Sequence, residues 1–527
     1  MNGANGESQV REGLIADYII VGAGAAGCVL ADRLSLDGSR RVLLLEAGRR
    51  ARHPFVSVPK GFIVTMQSAR ITYGYTTEPL ANGRVQTWLR GRALGGSTTV
   101  NGSMYLRGER HYYDRLADEL GATWAWPAWE RAFQAVESRL PVQAVAADDD
   151  VAAAVLDAFS LSGMLTVADL NSSCGQRSGA TPATIVHGRR ATAATAFLSP
   201  ASRRANLRVV TGAQALRLTL DGARVTGVVV VQDGEAVLHR ARREIVVSGG
   251  ALETPLLLER SGIGDPAVLR RSGIEPLVES RAVGEGLVEQ RSVIVKARLR
   301  EGLGDGPLLD SPTKVAAQAT RYLLTRGGPI ATGPYELAGL ADSTGRDTPD
   351  LQILTSRLAT DDSGLRVADH AGLMMQGYAV QPSSAGSVHV SGPLPTDPPR
   401  IDASALTTGE DRHLTAVVLD RIRDVLGAGP LAGLIVGEEV PGASVQGEDG
   451  ATRHALDAGS GIFHAVGSCA MGDSEEAVLD TRLRVRGVEG LRVADASVFP
   501  RQPSGGTAAP TMALGYLAAQ TMIEDEA

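Results

Sequence analysis

Residues 17–48 read DYIIVGAGAAGCVLADRLSLDGSRRVLLLEAG, and this stretch decides the fold. Apolar runs at residues 18–21 and 42–45 predict two strands, and the pattern at residues 25–34 predicts a helix between them. A strand, a helix and a second strand in this order form a βαβ unit, whose two strands lie parallel in one sheet. We therefore expect an α/β fold.

Three glycines follow the first predicted strand in a G-x-G-x-x-G arrangement, namely Gly22, Gly24 and Gly27, and Glu46 ends the second strand. The first glycine permits a tight turn, the second lets the backbone approach a pyrophosphate, and the third allows the helix to pack closely on the strand. A carboxylate at the position of Glu46 accepts hydrogen bonds from a ribose diol. The segment predicts a dinucleotide site, but the glycine spacing does not distinguish FAD from NAD.

Composition and charge limit the possible functions. The 527 residues are 43% hydrophobic and 21% charged, which is typical of a soluble globular protein with room for more than one core. The net charge of −7 and the lack of a basic stripe argue against a nucleic-acid partner. Three scattered cysteines are too few for a disulfide framework or a zinc site, so we expect no metal.

The N-terminal tail is polar and lacks the apolar run of a signal peptide. No apolar stretch approaches the roughly 18–20 residues that span a bilayer. We therefore expect a cytoplasmic protein without a membrane partner. The oligomeric state cannot be read from the sequence.

The rest of the chain predicts a sheet-rich second unit inserted into the nucleotide-binding one. Residues 241–250 repeat the strand-then-glycine pattern, residues 293–299 and 386–390 alternate as half-exposed antiparallel strands do, and residues 411–426 have helical periodicity. The small acidic run at residues 145–153 predicts a surface connection. We predict a discontinuous nucleotide-binding domain of residues 15–135, 185–290 and 458–527, a substrate domain of residues 136–184 and 291–457, and a disordered tail of residues 1–14.

Two further segments are candidates for contacts with the dinucleotide. Residues 91–108, GRALGGSTTVNGSMYLRG, offer small residues and consecutive N–H groups that suit a phosphate or a ring edge, although a flexible surface loop is the alternative. Near the C-terminus, His464 precedes a glycine-rich loop in which Pro510 marks a helix start and Thr507 is a candidate N-cap. A helix N-terminus favours an anionic phosphate or a reduced flavin ring.

The glycine segments at residues 22–27, 91–108 and 250–264, in this order, resemble the glucose–methanol–choline (GMC) family of FAD oxidoreductases. The resemblance extends over residues 15–525, with shorter matches at TTEP, RATAATAFLSPA, PSSAGSV and PSGGTAAPT. It implies a Rossmann-like FAD-binding domain with a second, mainly antiparallel-sheet substrate domain. It also implies FAD as the cofactor and a small-molecule alcohol as the substrate, oxidised to a carbonyl by hydride transfer to flavin N5.

The resemblance also assigns roles to individual residues. His464 aligns with the family's catalytic histidine, the base that takes the hydroxyl proton. Asp495 resembles the acidic residue near the ribityl chain and pyrophosphate, although a turn-stabilising aspartate before Ala496 is the alternative. The residues implied in contacts with FAD are Gly22, Gly24, Gly27, Glu46, Arg92, Gly95, Gly96, Thr98, Asn101, Gly102, Asp495, Ala496 and Thr507.

The chain departs from the family pattern at several positions. Val100 replaces the histidine that links covalently to the flavin in several members, so we expect non-covalent FAD. Glu289 and Gln290 replace the usual Asp-His pair, and Ala385 replaces the usual arginine. Gly506 falls where members carry a second catalytic Asn or His, and it offers no side-chain donor to the substrate oxygen. The loss of one such donor costs about 2.7–4 kcal/mol of transition-state stabilisation.

Several explanations of Gly506 stay open. Gln502, Ser504 or Thr507 are candidates to replace the missing donor, as is a polar group of the substrate, and a bulky substrate would use the space. The first interpretation is an FAD-dependent alcohol oxidase or dehydrogenase that relies on His464. The second is a flavoprotein that performs a non-redox lyase or cyclisation step with His464 as acid and base. An inactive flavoprotein is the third.

Overall fold

The computed structural model describes residues 10–144, 149–361, 364 and 366–526. The strands are β1 Arg11–Val21, β2 Val42–Glu46, β3 Thr72–Thr76, β4 Thr87–Gly91, β5 Gln143–Ala144, β6 Leu165–Thr166, β7 Arg177–Ala180, β8 Pro182–Ala183, β9 Ile185–Val186, β10 Arg189–Arg190, β11 Leu207–Thr211, β12 Ala213–Asp221, β13 Arg224–Gln232, β14 Glu235–Val247, β15 Ile263–Gly264, β16 Val278–Glu279, β17 Glu285–Leu287, β18 Val293–Leu299, β19 Leu337–Ala341, β20 Leu351–Ser356, β21 Gly372–Ala379, β22 Gly386–His389, β23 Arg400–Asp402, β24 Ile435–Val440 and β25 Leu491–Val493. The helices are α1 Ala25–Leu34, α2 Phe62–Met66, α3 Arg110–Leu120, α4 Trp126–Glu137, α5 Asp150–Leu161, α6 Ser199–Ala201, α7 Gly250–Arg260, α8 Pro266–Arg271, α9 Pro312–Thr325, α10 Gly409–Leu426, α11 Gly429–Leu434, α12 Gly447–Ala458 and α13 Ala508–Glu524.

The predicted βαβ unit forms the centre of the first sheet. Strand β1 lies between β2 and β14 and is parallel to both, with Tyr18 opposite Val42 and Val21 opposite Val247. The strand order is β11-β2-β1-β14-β13-β12, and β25 pairs in parallel with β14. All residues of β2 are buried, because a central parallel strand is covered on both faces. The predicted α/β class is confirmed.

The helix of the βαβ unit packs as its glycines require. A Cβ atom on Gly27 would lie 1.9 Å from the carbonyl oxygen of Gly22, so only a glycine lets α1 approach the turn after β1 this closely. Gly22 itself has φ +108°, and a Cβ there would lie 2.3 Å from the carbonyl oxygen of Ser248. On its outer side α1 packs against α13, where Gly515 leaves room for the backbone of Ala26.

The second sheet has the strand order β24-β18-β21-β20-β19-β7-β6, and its pairs are antiparallel except for β6 with β7. Helix α10 packs on one face, where Val418 and Ile422 contact the strand at Gly377. The opposite face carries Leu354 and Tyr378, which line a cavity between the two sheets. The expected mainly antiparallel second sheet is therefore confirmed, while the domain boundaries stay a prediction.

Two predictions about connecting segments are wrong in part. Within the tail predicted at residues 1–14, residues 1–9 lie outside the described residues, and Arg11 already begins β1, where it pairs with Val237. Within the surface connection predicted at residues 145–153, residues 145–148 lie outside the described residues, and α5 begins at Asp150. Val151 and Ala152 are buried because their apolar side chains face the second core.

The structure also gives two findings on ligands and membranes. Among the described residues, no group of three or more His, Cys, Asp or Glu side chains is arranged to hold a metal ion. In the same part of the chain, no helix combines the length and the apolar character that crossing a bilayer requires.

The contact between Gly27 and Gly22 predicts that replacement by alanine destabilises the protein at Gly27 but not at Gly433. We expect Gly27→Ala to lower the melting temperature, because overpacking of this kind costs about 1–3 kcal/mol or more. Gly433→Ala in α11 is the matched control, since a Cβ at Gly433 meets nothing within 4 Å and alanine is the better helix former. Thermal unfolding monitored by circular dichroism compares the two variants. Equal melting temperatures would contradict the close packing of α1.

Candidate active site

A cavity of about 420 Å³ lies at the carboxyl ends of β1, β2 and β14, beneath the second sheet. The strand ends contribute Val21, Glu46 and Ser248 to its lining. Ligands of open α/β sheets bind at this edge, because the loops that follow parallel strands converge there. The second sheet closes the other side with Leu354, which lies opposite these strand ends.

Most of the residues predicted to bind the cofactor line this one cavity. They are Gly22, Gly24, Glu46, Gly96, Thr98, Asn101, Gly102, Asp495, Ala496 and Thr507, and His464 and Gly506 line it as well. Gly27, Arg92 and Gly95 are not among the lining residues. Gly27 serves helix packing instead, the Arg92 guanidinium lies 4.8 Å from the centre of the Tyr73 ring, and Gly95 donates its N–H to Ala23 O at 2.8 Å. The expected contacts of Arg92 and Gly95 with the cofactor are therefore not supported.

Glu46 is held by two backbone groups. Its Oε2 accepts the N–H of Ala23 and its Oε1 accepts the N–H of Gly48, both at 2.8 Å. Each oxygen keeps a further lone pair, which is what a ribose diol requires. Burial raises the pKa of Glu46 to about 7, and the two N–H groups and Arg92 act in the opposite direction.

Asp495 stabilises the turn that follows it and also lines the cavity. Its Oδ1 accepts the N–H of Ser497 at 2.8 Å and so caps the short turn Ala496–Val498. Its Oδ2 accepts the N–H of Gly250 at 2.8 Å and the hydroxyl of Thr254 at 2.5 Å, which ties the turn to the start of α7. Burial raises the pKa of this carboxyl. Asp495 thus fixes the wall of the cavity that it also lines.

The last helix points its N-terminus at the cavity. Helix α13 begins at Ala508, two residues before Pro510, and Thr507, Ala508 and Thr511 line the cavity. Thr507 occupies the N-cap position, but its side chain makes no capping hydrogen bond, so that part of the prediction is wrong. Its backbone is helical (φ −83°, ψ −14°), whereas a side-chain cap needs an extended residue. The first N–H groups of α13 stay available to an anionic group in the cavity.

His464 is fixed at its backbone and at one ring nitrogen. Its backbone N–H donates to Glu289 Oε1 at 2.8 Å, and its Nδ1 lies 2.8 Å from Gln290 Oε1. Its Nε2 faces Gly506, where a Cβ atom would lie 3.5 Å away. Burial lowers the pKa of His464 to about 3, and the positive charge of Arg90 adds to this effect. The ring is therefore neutral near neutral pH.

A buried ion pair lies behind the imidazole. Arg90 Nη2 lies 3.3 Å from Glu289 Oε2, while the other oxygen of Glu289 holds the backbone of His464. Burial raises the pKa of Glu289 and lowers that of Arg90. Arg90 also lies 5.7 Å from the ring of Phe463, which sits in the left-handed region at φ +65°. The residue before His464 is thus a strained, partly exposed aromatic at the cavity wall.

The candidates to replace a donor at Gly506 are placed differently. Gln502 and Ser504 are not among the lining residues, and Ser504 Oγ accepts from Gln381 at 3.1 Å. Only Thr507 reaches the cavity. The sequence analysis missed Tyr378, which lines the cavity with its ring 6.5 Å from the imidazole and whose hydroxyl has no hydrogen-bond partner among the described residues.

The whole chain can be compared with known proteins. The family models described as GMC oxidoreductase match residues 16–291 with the N-terminal part and residues 382–515 with the C-terminal part. The chain belongs to the GMC oxidoreductase family. It is therefore an FAD-dependent oxidoreductase that acts on CH–OH groups.

Proteins of similar sequence or structure match this chain over nearly its full length. An uncharacterised GMC-type oxidoreductase of Mycobacterium tuberculosis is 34% identical, covering 96% of this chain and 98% of the relative. An alcohol dehydrogenase [acceptor] of Pseudomonas putida is 30% identical, covering 96% and 95%. The crystal structure of pyridoxine 4-oxidase from Mesorbium loti has a TM-score of 0.88 at 27% identity, covering 96% of this chain and 99% of that one.

The residues of this GMC oxidoreductase fit FAD. Gly24 has an ordinary φ of −80°, and a Cβ there would find no protein atom closer than 4.0 Å. Neither the backbone nor the packing requires a glycine at this position, so the space beside it belongs to the cavity and admits a pyrophosphate. Gly96 packs directly against Gly24 in the cavity wall, because a Cβ on Gly96 would lie 2.7 Å from the Cα of Gly24. When FAD is bound, Glu46 would hold the ribose and the start of α13 would hold the flavin.

The contacts of Glu46 predict its effect on cofactor affinity. In Glu46→Gln an NH₂ group replaces one of two oxygens that each accept a backbone N–H, so one N–H loses its partner. We expect FAD to bind at least about tenfold more weakly, a loss of about 1.4 kcal/mol. Titration of the apoprotein with FAD, followed by flavin fluorescence, measures the change.

Glu259→Gln is the matched control for this titration. Glu259 is also fully buried and accepts the N–H of Val390 at 2.8 Å, but it does not line the cavity. Its replacement should leave the FAD affinity of the folded protein unchanged. If both variants bind FAD like the wild type, Glu46 does not contact the ribose.

Proposed function

We propose that this protein oxidises an alcohol to a carbonyl compound, with His464 Nε2 as the base that takes the hydroxyl proton. The observation that carries the proposal is a neutral imidazole whose Nε2 faces the cavity beside the start of α13 and Gly506. A carbinol carbon releases hydride readily only as its oxygen gains alkoxide character, so a positioned base contributes about 10²–10⁴-fold. FAD, when bound, accepts the hydride.

The neutral state of the His464 ring meets the first requirement of this role. A neutral ring is required before the hydroxyl proton can be taken, and burial together with Arg90 keeps the ring neutral down to about pH 3. Arg90 is itself paired with Glu289, and the Glu289 carboxylate accepts the backbone N–H rather than a ring N–H. No carboxylate contact is found on either ring nitrogen of His464 among the described residues. We infer that proton transfer to Nε2 depends on the substrate oxygen lying directly against it.

The walls around His464 favour a neutral, largely apolar alcohol. Met104, Leu106 and Leu354 line the cavity and pack in one apolar cluster with Tyr378, whose ring lies 6.5 Å from the imidazole. The charged side chains of the lining are engaged elsewhere: Arg90 pairs with Glu289, Arg260 pairs with Glu253 at 3.3 Å, and Glu46 and Asp495 bind backbone groups. A relative from Vibrio vulnificus, 31% identical, is named as a choline dehydrogenase. A cation such as choline would meet no unpaired carboxylate here, so we infer an uncharged substrate.

We further propose that FAD is held without a covalent bond. Val100 is buried and lines the cavity at the position where several members carry the linking histidine. Among the residues that line the cavity, His464 is the one histidine, and no cysteine is present. The nucleophilic side chains that most readily form such a link are therefore absent next to Val100.

The role of His464 is tested by flavin reduction. Anaerobic mixing with neutral primary and secondary alcohols, from short aliphatic to aryl, should bleach the visible band of the oxidised flavin. We expect His464→Ala to retain FAD and to slow the bleaching by about 10²–10⁴-fold, because the general base is lost. Stopped-flow absorbance measures the rate.

His454→Ala is the control for this experiment. His454, in α12, donates from Nε2 to the carbonyl oxygen of Ile294 at 2.8 Å and does not line the cavity, so its loss should not change the bleaching rate. A wild-type rate in His464→Ala would remove its assigned role. Turnover of an alcohol without bleaching would establish the non-redox alternative.

The open space at Gly506 predicts that kcat/KM for large alcohols falls step by step as the side chain at this position grows. Gly506 does not have a positive φ, and a Cβ there makes an ordinary contact with His464 Nε2 at 3.5 Å, so both Gly506→Ala and Gly506→Asn should fold. If bulk of the substrate fills this space, Gly506→Asn should lower kcat/KM for large alcohols strongly, Gly506→Ala should lower it less, and small alcohols should still reduce the flavin. Steady-state kinetics on a size series measure this. A higher kcat/KM for large alcohols in Gly506→Asn would mean that the glycine is only a lost donor.

A further inference from the structure

Gln290 is a fully buried amide that bridges His464 and the second sheet. It lies between β17 and β18, and its relative exposure is 0%. Its Nε2 donates to the carbonyl oxygen of Val380 at 2.6 Å, just after β21. Its Oε1 lies 2.8 Å from Nδ1 of His464. Gln290 does not line the cavity, so it contacts neither substrate nor cofactor.

The two hydrogen bonds of Gln290 determine which nitrogen of His464 carries the proton. A backbone carbonyl oxygen only accepts, so the group of the amide that faces Val380 is the NH₂ donor, and the carbonyl oxygen of the amide faces His464. That oxygen also only accepts, so Nδ1 of His464 must donate a hydrogen. A neutral imidazole has one N–H, and Nε2 is therefore left with a free lone pair.

We propose that Gln290 is a positioning residue that holds His464 as the Nδ1–H tautomer and so aims the lone pair of Nε2 at the space beside Gly506. The inference rests on the proposed function in that the lone pair is useful only if Nε2 is the base. Without an acceptor at Nδ1, the proton would be free to sit on Nε2. In that tautomer Nε2 is a donor and cannot take a hydroxyl proton.

The other groups around the ring do not duplicate this role. Glu289 accepts from the backbone N–H of His464 and from Arg90, not from the imidazole. Arg90 carries a positive charge and cannot accept from Nδ1. Tyr378 lies edge-on to the ring with centroids 6.5 Å apart, and no hydrogen bond joins the two side chains among the described residues. The tautomer therefore depends on Gln290 alone.

The inference is tested by Gln290→Met, which fills the same volume but has no oxygen acceptor. In protein labelled with ¹⁵N-histidine, the ring signals that disappear in His464→Ala identify His464 among the nine histidines. We expect the wild type to show a protonated Nδ1 and an unprotonated Nε2, and Gln290→Met to shift toward a protonated Nε2. Flavin reduction should slow by between about 10- and 10⁴-fold, with FAD affinity unchanged.

Two further variants separate positioning from a general structural role. Gln352→Met is the matched control, because Gln352 has 0% exposure, makes no side-chain hydrogen bond among the described residues and does not line the cavity. Its activity and the His464 signals should equal those of the wild type. Gln290→Glu is the rescue: its carboxyl group accepts from Nδ1 in either protonation state, so the Nδ1–H signal of His464 should be retained.

The outcomes distinguish this inference from the proposed function. A wild-type His464 that is protonated at Nε2, or a Gln290→Met variant that keeps both the Nδ1–H signal and the wild-type rate, overturns the positioning role. If instead the tautomer shifts in Gln290→Met but His464→Ala is fully active, the tautomer assignment stands and the assignment of the base fails. Should Gln290→Met not fold, Gln290→Glu gives the decision: a retained Nδ1–H signal supports the inference, and a protonated Nε2 in that variant overturns it.

Discussion

The close approach of backbone to backbone at a few glycines is the constraint on which the site depends. A Cβ on Gly22 would collide with the turn after β14, one on Gly27 with the turn after β1, and one on Gly96 with Gly24 itself. These contacts bring two strand ends, the start of α1 and the second glycine segment to one place. What remains between them and the second sheet is a cavity with a backbone floor, which suits a long anionic cofactor.

The imidazole of His464 is placed by the second sheet and by the hairpin of β3 and β4. Glu289 and Gln290 precede β18 of the second sheet, Arg90 ends the hairpin of β3 and β4, and Val380 follows β21. Through these residues the backbone and Nδ1 of His464 are both fixed, and Nε2 is left over for chemistry. Burial and the positive charge of Arg90 keep the ring neutral, while Gly506 keeps the space in front of it open.

The sequence predicts the parts of the molecule that local pattern controls. Helix α1 has the bounds that the apolar periodicity predicts, and the alternating segment at β18 is a strand with the same bounds. Two predictions from local pattern are wrong, for different reasons. Val151 and Ala152 are buried because the second core packs against them. The side chain of Thr507 does not cap α13 because the backbone of Thr507 is already helical. Most of the residues predicted to bind the cofactor line the cavity, since glycine and carboxylate motifs act on their own loops. Arg92 and Gly95 share such a loop but do not line the cavity.

The role of Gln290 shows what a single sequence does not reveal. Its hydrogen bond to His464 joins residues 174 positions apart, and its hydrogen bond to Val380 joins residues 90 positions apart. Local spacing in the sequence therefore predicts neither hydrogen bond. In the sequence Gln290 is only a departure from the family pattern. In our proposal that departure determines which nitrogen of His464 is the base.

The central claim is that an alcohol gives its hydride to FAD while His464 takes its proton. Anaerobic flavin reduction with a neutral alcohol deuterated at the carbinol carbon tests this most directly, because the bond that breaks is then the one that is labelled. We predict that the flavin band is bleached, and more slowly with the deuterated alcohol than with the unlabelled one. Product formation with the oxidised flavin band unchanged would contradict the account.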